Sequence, residues 1–189
     1  ILISDTQKKL EIGIVTRQDI LEKQVKSTYL AIGSNLGDKK KNIEKAKKLL
    51  SYNKVYIMDT SSYYETPSWP NRNFPKFLNI VIEIKTDLSL VDLFKLIKKI
   101  ENNLGRKNDL RNFPRKCDID IIDFKGLFLK KAYLDHKIET PHPRMHTRNF
   151  VIFPLFEINK TWIHPKTKAK INNIINQFNN RDFSDIRIV

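Results

Sequence analysis

At 189 residues, with 40% hydrophobic and 30% charged side chains, the chain is long enough for one to two domains and apolar enough to bury a core, which excludes wholesale disorder. Its formal net charge of +14 favours anionic partners, whether nucleic acid, nucleotide phosphates or an acidic membrane surface, and charge alone does not choose among them. A single cysteine, Cys117, excludes an intrachain disulfide and a cysteine-rich zinc frame and suits a reducing, cytoplasmic setting.

The start at Ile1 rather than Met reads as a processed product or a fragment, and no basic segment followed by an apolar one suggests a secretory leader. Residues 1–26 read as two short strands, 1–4 and 12–15, followed by a short helix from Asp19, a unit too small to hold a core alone. From Thr28 the pattern changes. Tyr29-Leu30-Ala31-Ile32 is a strand that ends in Gly33-Ser34-Asn35-Leu36-Gly37, and apolar residues at Ile43, Ala46, Leu49 and Leu50 mark a helix. Six lysines between Lys39 and Lys48 take the polar positions of that helix. No aromatic residue interrupts them to stack on bases, so they read as a solvated face.

Residues 55–65 are β-rich, and residues 66–75 hold three prolines, too many for regular structure. A stiff loop of that length commonly serves a site. Residues 77–85 alternate, with Leu78, Ile80, Ile82 and Ile84 on one face and Phe77, Asn79, Val81 and Glu83 on the other. Ser89 and Asp92 make a capping-box-like start, and Leu90, Leu93, Phe94, Ile97, Ile100 and Leu104 form a helical stripe that stops at Gly105. Residues 117–124 are again a strand, with Cys117, Ile119 and Ile121 alternating against Asp118, Asp120 and Ile122.

The order strand–helix–strand–strand–helix–strand predicts an α+β fold: a ferredoxin-like βαββαβ antiparallel sheet with two helices on one face and the other face free. After about Leu127 a C-terminal extension of short strands, a Pro/His loop and a last helix near residues 171–178 are expected. The longest apolar stretch, residues 150–156, contains Pro154 and is far below the roughly 18 residues of a membrane span.

Two carboxylates two apart on a strand project to one side, so Asp118 and Asp120 can share hard divalent ions. As unpaired ions on the aliphatic face they would cost several kcal/mol each, roughly, which places them on the free face. The same alternation brings Phe77 and Asn79 to that face, where an aromatic ring and an amide can stack a flat ring and read its edge. Arg106, Arg111 and Arg115 precede the acids, and His142, Arg144 and Arg148 follow them. Guanidinium forks with a D-x-D pair suggest phosphoryl chemistry, because Mg²⁺ commonly bridges phosphates to one or two carboxylates. There is no Walker A loop, no G-x-G-x-x-G and no H-E-x-x-H, and the prolines beside His142 argue against a zinc helix with His146.

Arg115-Lys116-Cys117-Asp118-Ile119-Asp120-Ile121-Ile122 resembles the R-x-x-D-φ-D-φ-φ signature of 6-hydroxymethyl-7,8-dihydropterin pyrophosphokinases, enzymes of folate biosynthesis. Ala31-Ile32-Gly33-Ser34-Asn35-Leu36-Gly37, Ser61-Ser62-Tyr63-Tyr64-Glu65-Thr66-Pro67 and Phe77-Leu78-Asn79 are similar to further blocks of that family. So are Pro141-His142-Pro143-Arg144-Met145, Arg148-Asn149-Phe150 and Pro154-Leu155-Phe156-Glu157. The blocks follow the family's order. Asn112-Phe113-Pro114 departs from the pattern, since an aromatic-Gly-Pro is common there.

The resemblance implies Mg²⁺-dependent transfer of pyrophosphate from ATP to the pterin hydroxymethyl group, releasing AMP, with two Mg²⁺ ions on Asp118 and Asp120. It implies a pterin pocket of Thr66, Pro67, Trp69, Phe77, Asn79 and Phe150. ATP would be held by Lys98, Glu101, Arg106, Arg115, Lys137, His142 and Arg148, with Arg106 and Arg115 stabilising the charge in transfer. Residues 28–180 would be the pyrophosphokinase domain and 181–189 a tail. Residues 1–26 resemble the end of a CBS repeat, on Ile1-Leu2-Ile3-Ser4-Asp5 and Gly13-Ile14-Val15-Thr16-Arg17-Gln18-Asp19-Ile20-Leu21.

Two other classes compete. An RNA-binding module on the same sheet would be basic but would expect an RNP-like aromatic strand and no acids on its binding face. An adenine-nucleotide sensor would be built on the amino-terminal piece. The enzyme reading expects ATP and the pterin as small-molecule partners, no nucleic acid and no membrane, and allows a fused or associated folate-pathway enzyme.

Overall fold

The structure, a computed structural model, describes residues 27–106 and 113–189. The expected strands, helix and CBS-like segment of residues 1–26, with Arg111 and Asn112, lie outside the described residues.

Strand β1 (Thr28–Ser34) leads through the Gly33–Gly37 turn into helix α1 (Lys39–Tyr52), whose N-cap Asp38 accepts from the Lys41 amide. β2 (Tyr56–Thr60) and β3 (Tyr64–Thr66) follow, then the proline-rich loop, β4 (Phe77–Lys85) and helix α2 (Leu90–Asn103). Ser89 caps α2 by accepting from the Asp92 amide, and Gly105, at φ +90°, takes the left-handed conformation that ends it. β5 (Asp118–Phe124) completes the βαββαβ core.

The strands lie in the order β5-β1-β4-β3, all antiparallel. β2 and β3 share one edge of β4, meeting its Lys85 end and its Phe77 end in turn. The Ser61 hydroxyl, accepting from the Val81 amide at 3.0 Å, bridges the gap between them. The first face carries Leu30, Ile32, Leu78, Ile80, Ile82, Ile84, Ile119 and Ile121 against Ile43, Ala46 and Leu50 of α1 and Leu93, Ile97 and Ile100 of α2. Alternation along β4 therefore sorts its residues as the sequence predicts.

The second face is not free along its length. A hairpin of β6 (Leu129–Tyr133) and β7 (His136–Thr140), a 3₁₀ turn (Met145–Thr147) and helix α3 (Asn149–Ile158) follow β5. Short helices α4 (Ile171–Ile175) and α5 (Asn180–Ser184) and an edge strand β8 (Arg187–Ile188) on β3 close the chain. Val151, Ile152, Leu155, Trp162, Ile171 and Ile174 bury a second core on Tyr29, Ala31, Val81 and Ile122. α3 was not legible as a helix: its residues are apolar nearly all round and include Pro154, so no 3.6-residue stripe marks it. Packing against the sheet stabilises it despite the missing amide at Pro154.

A register shift between Tyr29 and Leu30 against β5 breaks the alternation. Asp118 and Asp120 face the second side, and beyond the bulge Ile122 and Asp123 both turn to the second core, where Asp123 accepts from Trp162 Nε1 at 2.9 Å. The C-terminal layer covers this half of the second face. The other half is left as a cleft.

Candidate active site

The cleft has a volume of about 1670 Å³, larger than the roughly 300–1,000 Å³ of a typical single-ligand pocket. Its floor is set by strand register. Gly33 of β1 stands opposite Asp118 on one side and Asn79 on the other, and Ala31 stands opposite Asp120 and Val81. Asp118 and Asn79 are thus two strand spacings apart, about 10 Å, with small residues between them.

On the β5 side the acids meet guanidiniums. Arg106 donates to Asp118 at 2.6 Å and Arg115 to its other oxygen at 3.1 Å, while Arg148 donates to Asp120 at 2.8 Å. Both acids are half-buried. Burial pushes the Asp120 carboxyl up, but His142 and Arg148 outweigh it and hold the group below the usual carboxylate range.

Beneath them Glu101 of α2 is fully buried at 0% exposure. It accepts from the Ile119 amide at 2.8 Å, from Lys98 at 2.8 Å and from Arg106. Arg106 is thereby shared between a buried and a half-buried carboxylate, and α2 is pinned to β5. Burial pushes the Glu101 carboxyl above its ordinary value, against the pull of Lys98. His142 is hung on β5 by its amide, which donates to the Ile122 carbonyl at 2.8 Å. Its Nδ1 accepts from the Arg144 amide at 3.1 Å, which leaves the proton on Nε2. Burial lowers its pKa, against the pull of Asp120.

On the β4 side Asn79 donates to Thr66 Oγ1 at 3.0 Å, which fixes the plane of the amide. Phe77, Phe150, Pro67 and Trp69 line the same side, with Trp69 72% exposed at the rim. The Arg148 guanidinium lies over the Phe150 ring, 5.6 Å from its centroid, and links the two sides.

Of the residues anticipated from sequence, all but one line this cleft: Thr66, Pro67, Trp69, Phe77, Asn79, Lys98, Glu101, Arg106, Arg115, Asp118, Asp120, His142, Arg148 and Phe150. Lys137 does not. It is exposed on β7, and alternation sends it away from the side shared by the lining residue His136 and the buried Ile138.

Sequence reasoning assigned no role to Asn35, which is 2% exposed and ties three segments together. Its Nδ2 donates to Ser68 Oγ at 3.0 Å and to the Pro75 carbonyl at 3.2 Å, at the two ends of the proline-rich loop. Its Oδ1 accepts from the Arg115 amide at 2.7 Å, and its own amide donates to the Arg115 carbonyl at 3.1 Å. Its position inside Gly33-Ser34-Asn35-Leu36-Gly37 was the available signal, since a turn asparagine can serve backbone groups of other segments as well as its own. Phe113, standing beside the departing Asn112, meets Phe74 of the proline-rich loop at a ring distance of 5.6 Å.

Among the described residues no cluster of three or more His, Cys, Asp or Glu side chains could hold a metal ion. Asp118 and Asp120, half-buried and two apart on one strand face, fit an ion whose remaining ligands are phosphate oxygens and water, as Mg²⁺ prefers. Nine cationic side chains against five carboxylates line the cleft, an arrangement suited to a polyanion.

Comparisons with known proteins point to one family. The family model described as 7,8-dihydro-6-hydroxymethylpterin-pyrophosphokinase (HPPK) matches residues 29–160. A 2-amino-4-hydroxy-6-hydroxymethyldihydropteridine pyrophosphokinase of Bacillus subtilis is 40% identical over 131 residues, covering 69% of this chain and 76% of that one. The enzyme of the same name from Aquifex aeolicus is 37% identical over 143 residues, covering 74% and 84%. The Dictyostelium discoideum folic acid synthesis protein FOL1 is 44% identical over 144 residues, 76% of this chain, yet the match spans only 21% of FOL1. A solved Plasmodium falciparum HPPK-DHPS shares the fold, at a TM-score of 0.67 and 13% identity, over 86% of this chain and 47% of that one. With the family model and two relatives matched over 84% and 76% of their length in agreement, the chain belongs to the HPPK family, the ATP-using pyrophosphokinases of 6-hydroxymethyl-7,8-dihydropterin in folate biosynthesis.

Proposed function

We propose that this cleft carries out its family's reaction as a two-sided site, with residues 28–180 as the catalytic domain. The pterin hydroxyl attacks the β-phosphorus of ATP, the bond from that phosphorus to the α–β bridging oxygen breaks, AMP leaves, and the hydroxyl proton is lost. The Asn79 side takes the pterin: Phe77 and Phe150 stack the ring, Asn79 reads its polar edge, and Thr66, Pro67 and Trp69 shape the pocket. The β5 side takes ATP, with Arg106, Arg115, Arg148, Lys98 and the Nε2–H of His142 as donors to phosphate oxygens and Glu101 as the buried anchor of Arg106.

Asp118 and Asp120 would hold two Mg²⁺ ions, which when bound neutralise phosphate charge and make the substrate hydroxyl more acidic. Little covalent chemistry is asked of the protein, so positioning and charge stabilisation by Arg106 and Arg115 supply the catalysis. The observation that supports the reading is the Asp118–Gly33–Asn79 row, which puts carboxylates among guanidiniums and an amide among aromatic rings in one cleft. Relatives named as folate synthesis bifunctional protein and HPPK-DHPS support a fused or associated folate-pathway enzyme as a partner.

The test is AMP formation from ATP, Mg²⁺ and the reduced pterin together. Asp118→Ala and Asp120→Ala should each lower turnover by about three decades or more, with little change in the thermal midpoint. Near-normal rates in both variants would remove the metal role.

A further inference from the structure

We propose that residues 179–189 form a strap that positions the proline-rich loop over the pterin side of the cleft, with the Arg72–Asp185 pair as its fastening. The assignment of that side to pterin rests on the function proposed above.

The loop between β3 and β4 is tied at its base, where Asn35 and Ser68 both donate to the Pro75 carbonyl. Its tip is exposed, and Arg72 reaches outward from it to donate both terminal nitrogens to Asp185, at 2.8 and 2.7 Å. A two-bonded guanidinium–carboxylate pair allows essentially one relative orientation, which a single contact would not impose.

Asp185 can hold the loop because it is itself anchored on both sides. Before it, the Asn149 side chain donates to the Asp182 carbonyl at 2.7 Å, Phe183 stacks on Phe153 of α3 at 5.0 Å, and Asn179 and Asp182 close a capping box on α5. After it, β8 adds to the edge of β3. Arg187 donates to Glu65 at 2.7 Å and the Val189 amide to the Tyr63 carbonyl at 3.0 Å. Glu65 neighbours Thr66, the partner of Asn79, so both anchors lead back to the site. Arg72 and Asp185 line the same cleft as Asn79.

An exposed ion pair adds little to global stability. Its effect here is local: it limits the loop to the conformation that walls the pterin side, so binding has less ordering to do. On the phosphate side the Arg106 and Arg115 side chains take their carboxylate partners, Glu101 and Asp118, across the sheet from it.

The experiment compares wild type, Arg72→Asp, Asp185→Arg and the double exchange. Each single variant should raise the KM for the pterin roughly tenfold, change the Kd of a non-hydrolysable ATP analogue with Mg²⁺ much less, and speed hydrogen exchange of loop amides in the ligand-free protein. The double exchange should recover most of both effects. Unchanged loop exchange in both single variants overturns the strap, and so does a KM that stays at the wild-type value or a double exchange that recovers neither effect. If wild type makes no AMP while loop exchange responds as expected, the strap stands and the pterin assignment falls.

Discussion

At Gly33 an added Cβ would stand 2.8 Å from Asn79 Oδ1 and 3.4 Å from the Phe77 ring. The glycine is needed for close approach, because any side chain there would push the amide and the ring that face the cleft. Asp123, four residues from β5's start at Asp118 on the count of positions between them, shows the opposite use of a carboxylate. It is fully buried, accepts from Trp162 Nε1 and the Gly126 amide, and among the described residues has no cation as a hydrogen-bond partner. Burial raises its pKa from 3.8 to about 7. The unfolded chain ionises near the lower value and the folded one near the upper, so stability is fully present below the first and is lost as pH rises through the second. A shift of that size corresponds to about 4 kcal/mol. Asp123→Asn removes the titration, so denaturant midpoints measured at about pH 5 and pH 8 should move in favour of the variant as pH rises. A pH-independent difference would show that Asp123 keeps its ordinary acidity.

Loops and strands are coupled through the Gly33–Gly37 turn. Asn35 spends its side chain on two carriers of opposite halves of the cleft, the proline-rich loop and the backbone of Arg115. Asn35→Ala removes hydrogen bonds to the buried Ser68, the half-buried Arg115 and the exposed Pro75, at a cost of about 1–3 kcal/mol in all. The thermal midpoint should fall accordingly, and kcat/KM should drop for ATP and for the pterin alike. Loss confined to one substrate would show that the two loops are held independently. The element patterns themselves come from local rules. Ser89 caps α2, and the strand periodicity of β4 places its aliphatic residues against the helices. α3 instead depends on what covers it, since a helix buried on nearly every side carries no amphipathic stripe.

Over the whole molecule, charge is distributed so that the cleft gathers cations while the lysines of α1 stay solvated or half-buried on the outer face of the first layer. Screening by salt should therefore weaken nucleotide binding and leave pterin binding, which involves no net charge, nearly unaffected. Titration of an ATP analogue and of the pterin across about 0.05 to 0.3 M salt tests this, with a several-fold loss expected for the first alone. Equal salt dependence of both would mean that the cationic lining does not act on the phosphates. Among the described residues no helix is long and apolar enough to cross a membrane.

The parity of strand residues and the spacing of helical stripes are local properties. The sequence alone therefore determined the βαββαβ order, the face shared by Phe77, Asn79, Asp118 and Asp120, and the caps of α2. Long-range packing decided the rest. Lys137 turned away from the cleft because hairpin pairing set its side, and half of the second face was covered by a C-terminal layer whose helix has no stripe to announce it. Asp123 joined that layer through a bulge that only pairing with β1 creates. Arg72 found Asp185 across 113 positions of sequence, a meeting that no local pattern encodes, because it needs the C-terminal segment packed on both α3 and β3.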